Sequence, residues 1–211
     1  VAFILATSDA VARHAAQLIE MDIEPLPVIT DPRLAKEKNQ LIVPPRTFKT
    51  GNTKEAFEQC HYVVQGTAHT NGQEHLYIET QGAYAFPVEH SGIKIYSSTQ
   101  GPTAVQRHTA DVLGIPMHRI EVDVTRLGGG FGGKEDQATA WAALCALGAF
   151  IVKKPVKYVL HRMEDMRMTG KRNPYTADYT LGLNKDLKIL AYEVTFYQNA
   201  GAAADLSPAV L

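Results

Sequence analysis

Three features that would each define a class of protein are missing from this sequence. It has 211 residues with only two cysteines, Cys60 and Cys145, which are too few thiols for even one iron–sulfur cluster. No apolar stretch approaches about 18 residues, so no membrane-spanning helix is predicted. The formal net charge is −1, whereas nucleic acid or an anionic membrane as partner would require a basic excess. An ordinary globular protein is therefore predicted, with no nucleic-acid and no membrane partner.

The two cysteines lie in apolar contexts, one strand-like and one helix-like, and we expect buried reduced thiols. Reduced thiols are typical of a reducing compartment, so a cytoplasmic location is expected. The sequence also begins with an apolar run at residues 1–6 and ends in an apolar phrase after Pro208. This pattern predicts a fragment of a longer protein.

Periodicity and turn residues predict the secondary structure of the first half. A strand over residues 1–6, a helix, and a second strand over residues 19–24 open the chain. Residues 25–52 are rich in Pro, Lys, Asn and Gly and predict a long surface connection. A short helix and three strands follow, over residues 54–59, 61–69, 75–86 and 93–98.

The second half predicts a helix over residues 103–113, followed by a strand, a glycine-rich loop, a long helix and another strand. These last elements cover residues 120–125, 127–135, 138–151 and 156–160. They form a β-loop-α-β unit, which implies a parallel pair of strands with a right-handed crossover. A hairpin over residues 176–198 closes the chain. The predicted fold class is α+β, with mixed sheets, helices and one local β-loop-α-β unit.

The most informative segment is the glycine loop, residues 127–135, which reads Leu-Gly-Gly-Gly-Phe-Gly-Gly-Lys-Glu. Five of the six residues from 128 to 133 are glycine, and each costs roughly 0.5–1 kcal/mol more to order than alanine. Bare backbone N–H groups at a helix N-terminus can approach an anionic or oxo-bearing ligand closely. Because a tight turn needs only one or two glycines, the five favour a ligand-binding loop.

Other interpretations of this loop were weighed by their chemistry. The P-loop pattern fails because Glu135 offers no hydroxyl for magnesium and would repel phosphates. The dinucleotide pattern G-x-G-x-x-G fits Gly128, Gly130 and Gly133, but the next strand ends in basic rather than acidic residues, and an acid is needed there for the ribose. A nicotinamide-dependent dehydrogenase domain, a purely structural loop and a non-catalytic interaction domain remain as alternatives.

Five phrases in order resemble the molybdopterin-binding subunit of the xanthine dehydrogenase and aldehyde oxidase family. They cover nearly the whole chain, as residues 73–80, 98–100, 128–135, 159–170 and 205–207. The opening segment is similar to the small domain that precedes the cofactor domain in that family. The resemblance implies that residues 1–50 are the C-terminal part of a small α/β hammerhead-like domain plus a connection. Residues 51–211 would be the N-terminal part of the molybdopterin-binding domain.

The family's cofactor is a molybdopterin carrying molybdenum, and its reaction is hydroxylation with water as the oxygen source. On this resemblance, Gly130, Phe131 and Gly132 would contact the cofactor. Gln100 would donate its side-chain amide hydrogen to an oxo ligand, since a neutral donor stabilises negative charge there. Gln100 and Phe131 would therefore lie beside the molybdenum without binding it directly.

Glu135 matches the position where the xanthine-type branch has a glutamate that hydrogen-bonds the purine. The aldehyde-oxidising branch tends to have an apolar residue there. The resemblance therefore implies a purine substrate such as xanthine or hypoxanthine. The alternative role is that of a first-turn acid, which stabilises a helix by about 0.3–1 kcal/mol.

The same resemblance implies partners beyond this chain. FAD and [2Fe–2S] clusters would be bound by other domains or subunits, and the intact enzyme would be an oligomer. The family's catalytic base glutamate falls outside this sequence, so the fragment would be inactive alone.

Three further sets of residues have structural roles by prediction. We expect His75 and Glu79 to be a strand pair that points to one face, rather than a metal pair. We expect residues 161–165 to form a charged turn, solvated or salt-bridged. Apolar residues at helical spacing between Trp141 and Ile151 are predicted to face the core.

Overall fold

The fold is described from a computed structural model, which describes residues 2–210. The helices are α1 (Asp9–Gln17), α2 (Pro32–Glu37), α3 (Thr53–Glu58), α4 (Pro102–Leu113), α5 (Gln137–Val152), α6 (Arg162–Met168) and α7 (Ser207–Val210). The strands are β1 (Tyr62–Thr70), β2 (Gly82–Val88), β3 (Gly92–Ser97), β4 (Ile120–Asp123), β5 (Val156–Val159), β6 (Tyr175–Leu183) and β7 (Ile189–Gln198). No helix in residues 2–210 is both long enough and apolar enough to cross a membrane.

The core lies between a four-stranded sheet, in the order β4-β3-β2-β5, and the helices α4 and α5. β3 pairs parallel with β4 and antiparallel with β2, and β2 pairs antiparallel with β5. Side chains alternate along a strand, so Ala83 and Ala85 of β2 share the buried face with Ile93 and Ile95 of β3. Ala142, Ala146 and Ala149 of α5 are buried against this face, because small side chains let a helix approach a sheet closely.

A second sheet is three-stranded and antiparallel, in the order β1-β6-β7. The hairpin of β6 and β7 confirms the one predicted over residues 176–198. Its turn is held by the side-chain oxygen of Asn184, which accepts from the backbone N–H groups of Asp186 and Lys188 at 2.9 Å each. The mixed sheets and helices confirm the α+β fold class.

The predicted parallel pair on either side of the glycine loop is wrong. β4 and β5 lie at opposite edges of the four-stranded sheet, with β3 and β2 between them. The parallel neighbours are β3 and β4, which α4 connects. β2 and β3 are longer and more buried than the four-residue strands β4 and β5, so their hairpin takes the centre of the sheet.

The two strands predicted near the N-terminus are also wrong. Residues 2–6 and 19–24 have no regular secondary structure, and Val1 lies outside the described residues. A strand needs a neighbour for its backbone hydrogen bonds, and neither segment pairs with a strand of the described chain. Only the helix between them, α1, forms, capped by the hydroxyl of Ser8.

Both cysteines are free thiols. Cys145 is fully buried, as expected, and burial raises the pKa of its thiol to about 12. Cys60 is only half-buried, and its sulfur lies against Gly182, near the end of the central strand β6 of the three-stranded sheet.

Candidate functional site: the glycine loop

The glycine loop connects the end of β4 to the start of α5 and has an irregular backbone. Three of its residues have a positive φ angle, namely Gly129 (91°), Phe131 (53°) and Gly132 (86°). Glycine adopts these angles freely, whereas phenylalanine does so only with strain. The chain therefore holds Phe131 in a conformation that its side chain disfavours.

Contacts or backbone angles within this chain explain why each of the five positions is glycine. A Cβ atom at Gly128 would lie 2.4 Å from Glu79 Cβ, and one at Gly130 would lie 2.4 Å from Gln100 Oε1. A Cβ at Gly133 would lie 2.8 Å from the His75 ring. The other two glycines have a positive φ. A purely structural loop could therefore require all five glycines, contrary to the prediction from the sequence, and a ligand is indicated only by the backbone groups that stay unbonded.

One side of the loop is bonded to residues 77–81, which we name the brace segment. Glu79 N–H donates to the Gly128 carbonyl at 3.1 Å, and Gly128 N–H donates back to Glu79 Oε2 at 2.8 Å. At the other end of the loop, the Gln81 side-chain amide donates to the Gly133 carbonyl at 2.7 Å. These atoms form what we call the inner side of the loop.

The brace segment is not the strand that the sequence predicted. Strand structure begins only at Gly82, and Leu76 has a φ of +48°. The Glu79 N–H and the carbonyls of Tyr77, Ile78 and Glu79 bond to the loop or to α6, and only the Gln81 carbonyl bonds beside a strand, accepting from Leu160 N–H at 2.9 Å directly after β5. His75 and Glu79 therefore do not share a strand face, although both contact the glycine loop.

The brace segment is fixed in turn by α6. Asp165 is fully buried and accepts from the Tyr77 hydroxyl at 2.8 Å and from Gln81 N–H at 2.6 Å. Arg162 donates to the carbonyls of Tyr77 and Ile78 at 2.5 and 2.7 Å. Burial and the bond to Asp165 raise the pKa of Tyr77 to about 12, so its hydroxyl stays a donor.

Residues 161–165, which were expected to form a charged turn, are thus the start of α6, and the two acids in this segment have different roles. Glu164 is paired with Arg13 on one side of α6, as a salt-bridged turn would be. Asp165 instead enters the interior, because two buried donors need its carboxylate. Both residues are acids in the sequence, and the neighbouring residues do not indicate which of the two is buried.

Lys134, the last loop residue but one, is fully buried. Its ammonium donates to the Glu79 carbonyl at 2.6 Å and to Ser98 Oγ at 2.7 Å, and it lies 3.3 Å from Glu79 Oε2. Burial lowers the pKa of Lys134 despite the nearby Glu79 carboxylate. Burial alone would raise the pKa of Glu79, but the bonds from Gly128 and Ser98 and the lysine charge lower it. Lys134 and Glu79 therefore form an ion pair.

Gln100 lies against the loop as the resemblance implies. Its side-chain oxygen accepts from the backbone N–H groups of Gly132 and Lys134 at 3.0 and 3.1 Å. Two donors on one atom identify that atom as the oxygen. The amide nitrogen of this exposed side chain is left without an acceptor among the described residues. Gln100 is therefore turned to donate its N–H groups away from the loop.

The outer side of the loop carries further unused groups. The backbone N–H groups of Gly129, Gly130 and Phe131 donate to no described residue, and the Phe131 side chain is 74% exposed. Beside Gly132 there is open space, because a Cβ atom there would meet nothing within 4 Å. Glu135 is exposed, and its carboxylate has neither a hydrogen bond nor an ion pair with the described residues. The structure thus brings together Gln100, Gly130, Phe131 and Gly132, with Glu135 directly after them.

Two depressions in the surface lie elsewhere. One of about 500 Å³ and one of about 600 Å³ lie on the three-stranded sheet, and both are lined by Thr67 and Asp178. None of the site residues predicted from the sequence lines either of them. Within residues 2–210 no group of three or more His, Cys, Asp or Glu side chains could hold a metal ion directly.

The dinucleotide alternative loses its structural context. That fold requires the strand after the helix to lie beside the strand before it, whereas β5 and β4 are at opposite edges. The nearest acid after β5, Glu164, is bound by Arg13 and by the backbone N–H of His161. It is therefore not free to bind a ribose.

Residues 34–211 match the model of the molybdopterin cofactor-binding domain, and the chain therefore belongs to that family. The resemblance inferred from the five phrases is confirmed, and with it, at the level of the family, molybdopterin as the cofactor. This match does not test the domain boundary predicted at residues 50 and 51.

Individual relatives agree with the family match. Xanthine dehydrogenase of Emericella nidulans is 37% identical, with 100% of this chain and 16% of that protein covered. Aldehyde oxidase 2 of Cavia porcellus is 36% identical, with 99% of this chain and 16% of that protein covered. The solved structure of the aldehyde oxidoreductase from Desulfovibrio gigas is 25% identical to this chain, with a TM-score of 0.78. The superposition covers 90% of this chain and 22% of the oxidoreductase chain. The chain thus spans 16% of the length of the two curated relatives.

Proposed function

We propose that this chain is part of the molybdenum-cofactor subunit of a xanthine dehydrogenase-like hydroxylase that oxidises a purine, xanthine or hypoxanthine. Residues 1–50 would belong to the small hammerhead-like domain with its connection, and residues 51–211 to the cofactor domain. FAD and [2Fe–2S] clusters would be held by other domains or subunits of a cytoplasmic oligomer. The observation that carries this proposal is the set of unused donors on the outer side of the loop, followed directly by the unpaired carboxylate of Glu135.

The outer side fits a molybdopterin cofactor in its donor chemistry. Oxo and phosphate oxygens accept hydrogen bonds, and the backbone N–H groups of residues 129–131 and the Gln100 amide are donors without acceptors. The open space beside Gly132 leaves room for a group to approach the backbone. When bound, the cofactor supplies the two-electron oxidation of the substrate carbon, with water as the source of oxygen.

The residues of this chain would orient the reactants. The Gln100 amide nitrogen would donate to an oxygen of the cofactor while the loop holds its carbonyl in place. The Glu135 carboxylate would accept from a ring N–H of the substrate, or share a proton with it. A purine offers several such N–H groups, and a simple aldehyde offers none.

The identities to relatives do not separate the two substrate classes. A xanthine dehydrogenase and an aldehyde oxidase are almost equally similar to this chain, at 37% and 36%. The purine assignment therefore depends on Glu135. Within residues 2–210 its exposed carboxylate has no hydrogen-bond or ion-pair partner.

Substitution of Glu135 tests the assignment in the full-length protein. Glu135→Val should lower kcat/KM for xanthine more than kcat/KM for benzaldehyde, since only the purine loses a hydrogen-bond partner. The difference should correspond to a loss of transition-state stabilisation of about 2–4 kcal/mol. Glu58→Val, at another exposed glutamate, is the control and should change neither.

An equal loss on both substrates would contradict the substrate role of Glu135. Elemental analysis of the wild-type protein decides the broader proposal. A protein without molybdenum that binds a nicotinamide dinucleotide would support a dehydrogenase, and one that binds neither would support an interaction domain.

A further inference from the structure

We infer that Lys134 is a positioning residue, whose buried ammonium sets the direction in which the glycine loop presents its outer side to the cofactor. The inference rests on the proposed function, because it assigns a role toward the same cofactor. The Lys134 side chain is fully buried, so it would act on the cofactor through the loop and Gln100.

All three hydrogens of the ammonium have a role in the interior. An ammonium has three donors and no acceptor, and Lys134 Nζ has three oxygens within reach, on Glu79 and Ser98. The ring of Tyr77 lies beneath the charge, with its centroid 4.4 Å away. The lysine head is therefore held from several directions and has a single orientation.

These contacts join separate parts of the chain. Glu79 belongs to the brace segment and Ser98 follows β3, so the ammonium ties the end of the loop to both. The same carboxylate oxygen of Glu79 also accepts from Ser98 Oγ at 2.7 Å and from Gly128 N–H at 2.8 Å. One buried charge thus connects the two ends of the loop, at Gly128 and Lys134.

The backbone of Lys134 extends this connection to Gln100. The Lys134 carbonyl accepts from Gln100 N–H at 2.7 Å and from Thr99 Oγ1 at 3.0 Å. Lys134 N–H donates to Gln100 Oε1 at 3.1 Å. A displacement of Lys134 would therefore turn the Gln100 amide, which is the group proposed to face the cofactor.

Stability does not account for a lysine at this position. Replacing both members of a buried ion pair with apolar residues of similar volume is often neutral or stabilising, whereas removing one member destabilises the fold when the other charge stays buried and unpaired. The side chain of Glu79 is 44% exposed and also bonded to Gly128 and Ser98, so it would remain solvated without the lysine. What the ammonium adds over a methionine is directional bonding that fixes the loop.

Lys134→Met in the full-length protein tests the inference. The variant should retain about tenfold less molybdenum and pterin than the wild type, as is usual when groups that orient a metal site are removed. Backbone amides of residues 128–133 should exchange with deuterium faster. In the molecules that keep the metal, kcat should fall while KM changes little, and the electron paramagnetic resonance signal of Mo(V) should shift.

Lys171→Met is the matched control. Lys171 also pairs with a glutamate, Glu74, at 3.0 Å, but it does not contact the loop. This variant should keep the cofactor content, loop exchange and Mo(V) signal of the wild type.

A second pair of variants keeps the test decisive if Lys134→Met does not fold. Ser98→Ala removes one acceptor of the ammonium, whereas Ser97→Ala removes a neighbouring buried hydroxyl that has no hydrogen-bond partner among the described residues. Only Ser98→Ala should shift the Mo(V) signal and lower the molybdenum content.

Each failure has its own signature. If the wild-type protein contains no molybdenum, the proposed function fails. If the wild-type protein contains molybdenum and both Lys134→Met and Ser98→Ala keep its content, loop exchange and Mo(V) signal, the positioning role alone is overturned.

Discussion

The two sides of the glycine loop differ in what satisfies their polar groups. On the inner side, Gly128, Gly133 and Lys134 bond to the brace segment or to Ser98, so the chain itself fixes the loop. On the outer side, three backbone N–H groups, the Gln100 amide nitrogen and the Glu135 carboxylate have no partner in residues 2–210. Gly130 is a buried residue, and buried backbone N–H groups are normally bonded, whereas Gln100 and Glu135 are exposed. The outer side can therefore bond to something that this chain does not supply.

This contrast also changes how the glycines are interpreted. From the sequence, five glycines indicated a ligand because a turn does not need so many. In the structure, three of them make room for Glu79, Gln100 and His75, and two adopt a positive φ. The evidence for a ligand is therefore the unbonded donors and not the number of glycines.

The largest expected effect on stability is at Asp165 of α6, which fixes the brace segment on the inner side of the loop. Asp165→Ala would leave the Tyr77 hydroxyl and the Gln81 N–H buried without an acceptor. Leaving a buried donor unsatisfied costs about 1–3 kcal/mol for each group, so the two donors together should cost about 2–6 kcal/mol. Native-state hydrogen exchange of the α5 amides in the full-length protein should show this loss, and a loss below about 1 kcal/mol would mean that the brace segment does not depend on α6.

A smaller effect on stability is expected where Gly130 meets Gln100. A Cβ atom in Gly130→Ala would lie 2.4 Å from Gln100 Oε1 and 2.6 Å from its Cδ. Overpacking of this kind costs about 1–3 kcal/mol, and it should also displace the amide and lower the molybdenum content. A crystal structure of the variant with Gln100 unmoved would contradict this account of the contact.

The smallest effect on stability is expected on the outer side. In Gly132→Ala the new methyl group would meet nothing within 4 Å, and the φ of +86° would cost about 1 kcal/mol. Gly114→Ala is the matched control, because Gly114 caps α4 with a φ of +64° and equally open space. Thermal unfolding should show similar losses for both variants.

Only Gly132→Ala should also lower the molybdenum content, since only Gly132 lies on the outer side of the loop. Equal molybdenum content in the two variants would argue that the open space beside Gly132 does not receive the cofactor.

Local signals made much of the fold predictable. The helix predicted at residues 103–113 is α4, because Pro102 suits a helix start and Gly114 suits a left-handed helix end. The helix predicted at residues 138–151 is α5, within one residue at each end. The loop between them and the closing hairpin were likewise visible from glycine and turn residues.

What could not be predicted depends on contacts between distant residues. The order of strands in the four-stranded sheet follows the length and burial of the strands, with the hairpin of β2 and β3 at the centre, and not the order of the strands in the sequence. The burial of Lys134 depends on Glu79 and Ser98, which are 55 and 36 residues away, and lysine is rarely buried unless paired. The N-terminal strands failed because their periodicity gives no information on whether a partner strand exists.

The central claim is that the outer side of the glycine loop faces a molybdenum cofactor. A crystal structure of the full-length protein, with anomalous diffraction at the molybdenum edge, tests it most directly. The account predicts a molybdenum peak on the outer side, with the Gln100 amide nitrogen in hydrogen-bond reach of an oxygen ligand and Glu135 lining the same cavity. A molybdenum peak remote from residues 128–135, or a loop whose outer donors are bonded to another protein segment instead, would contradict it.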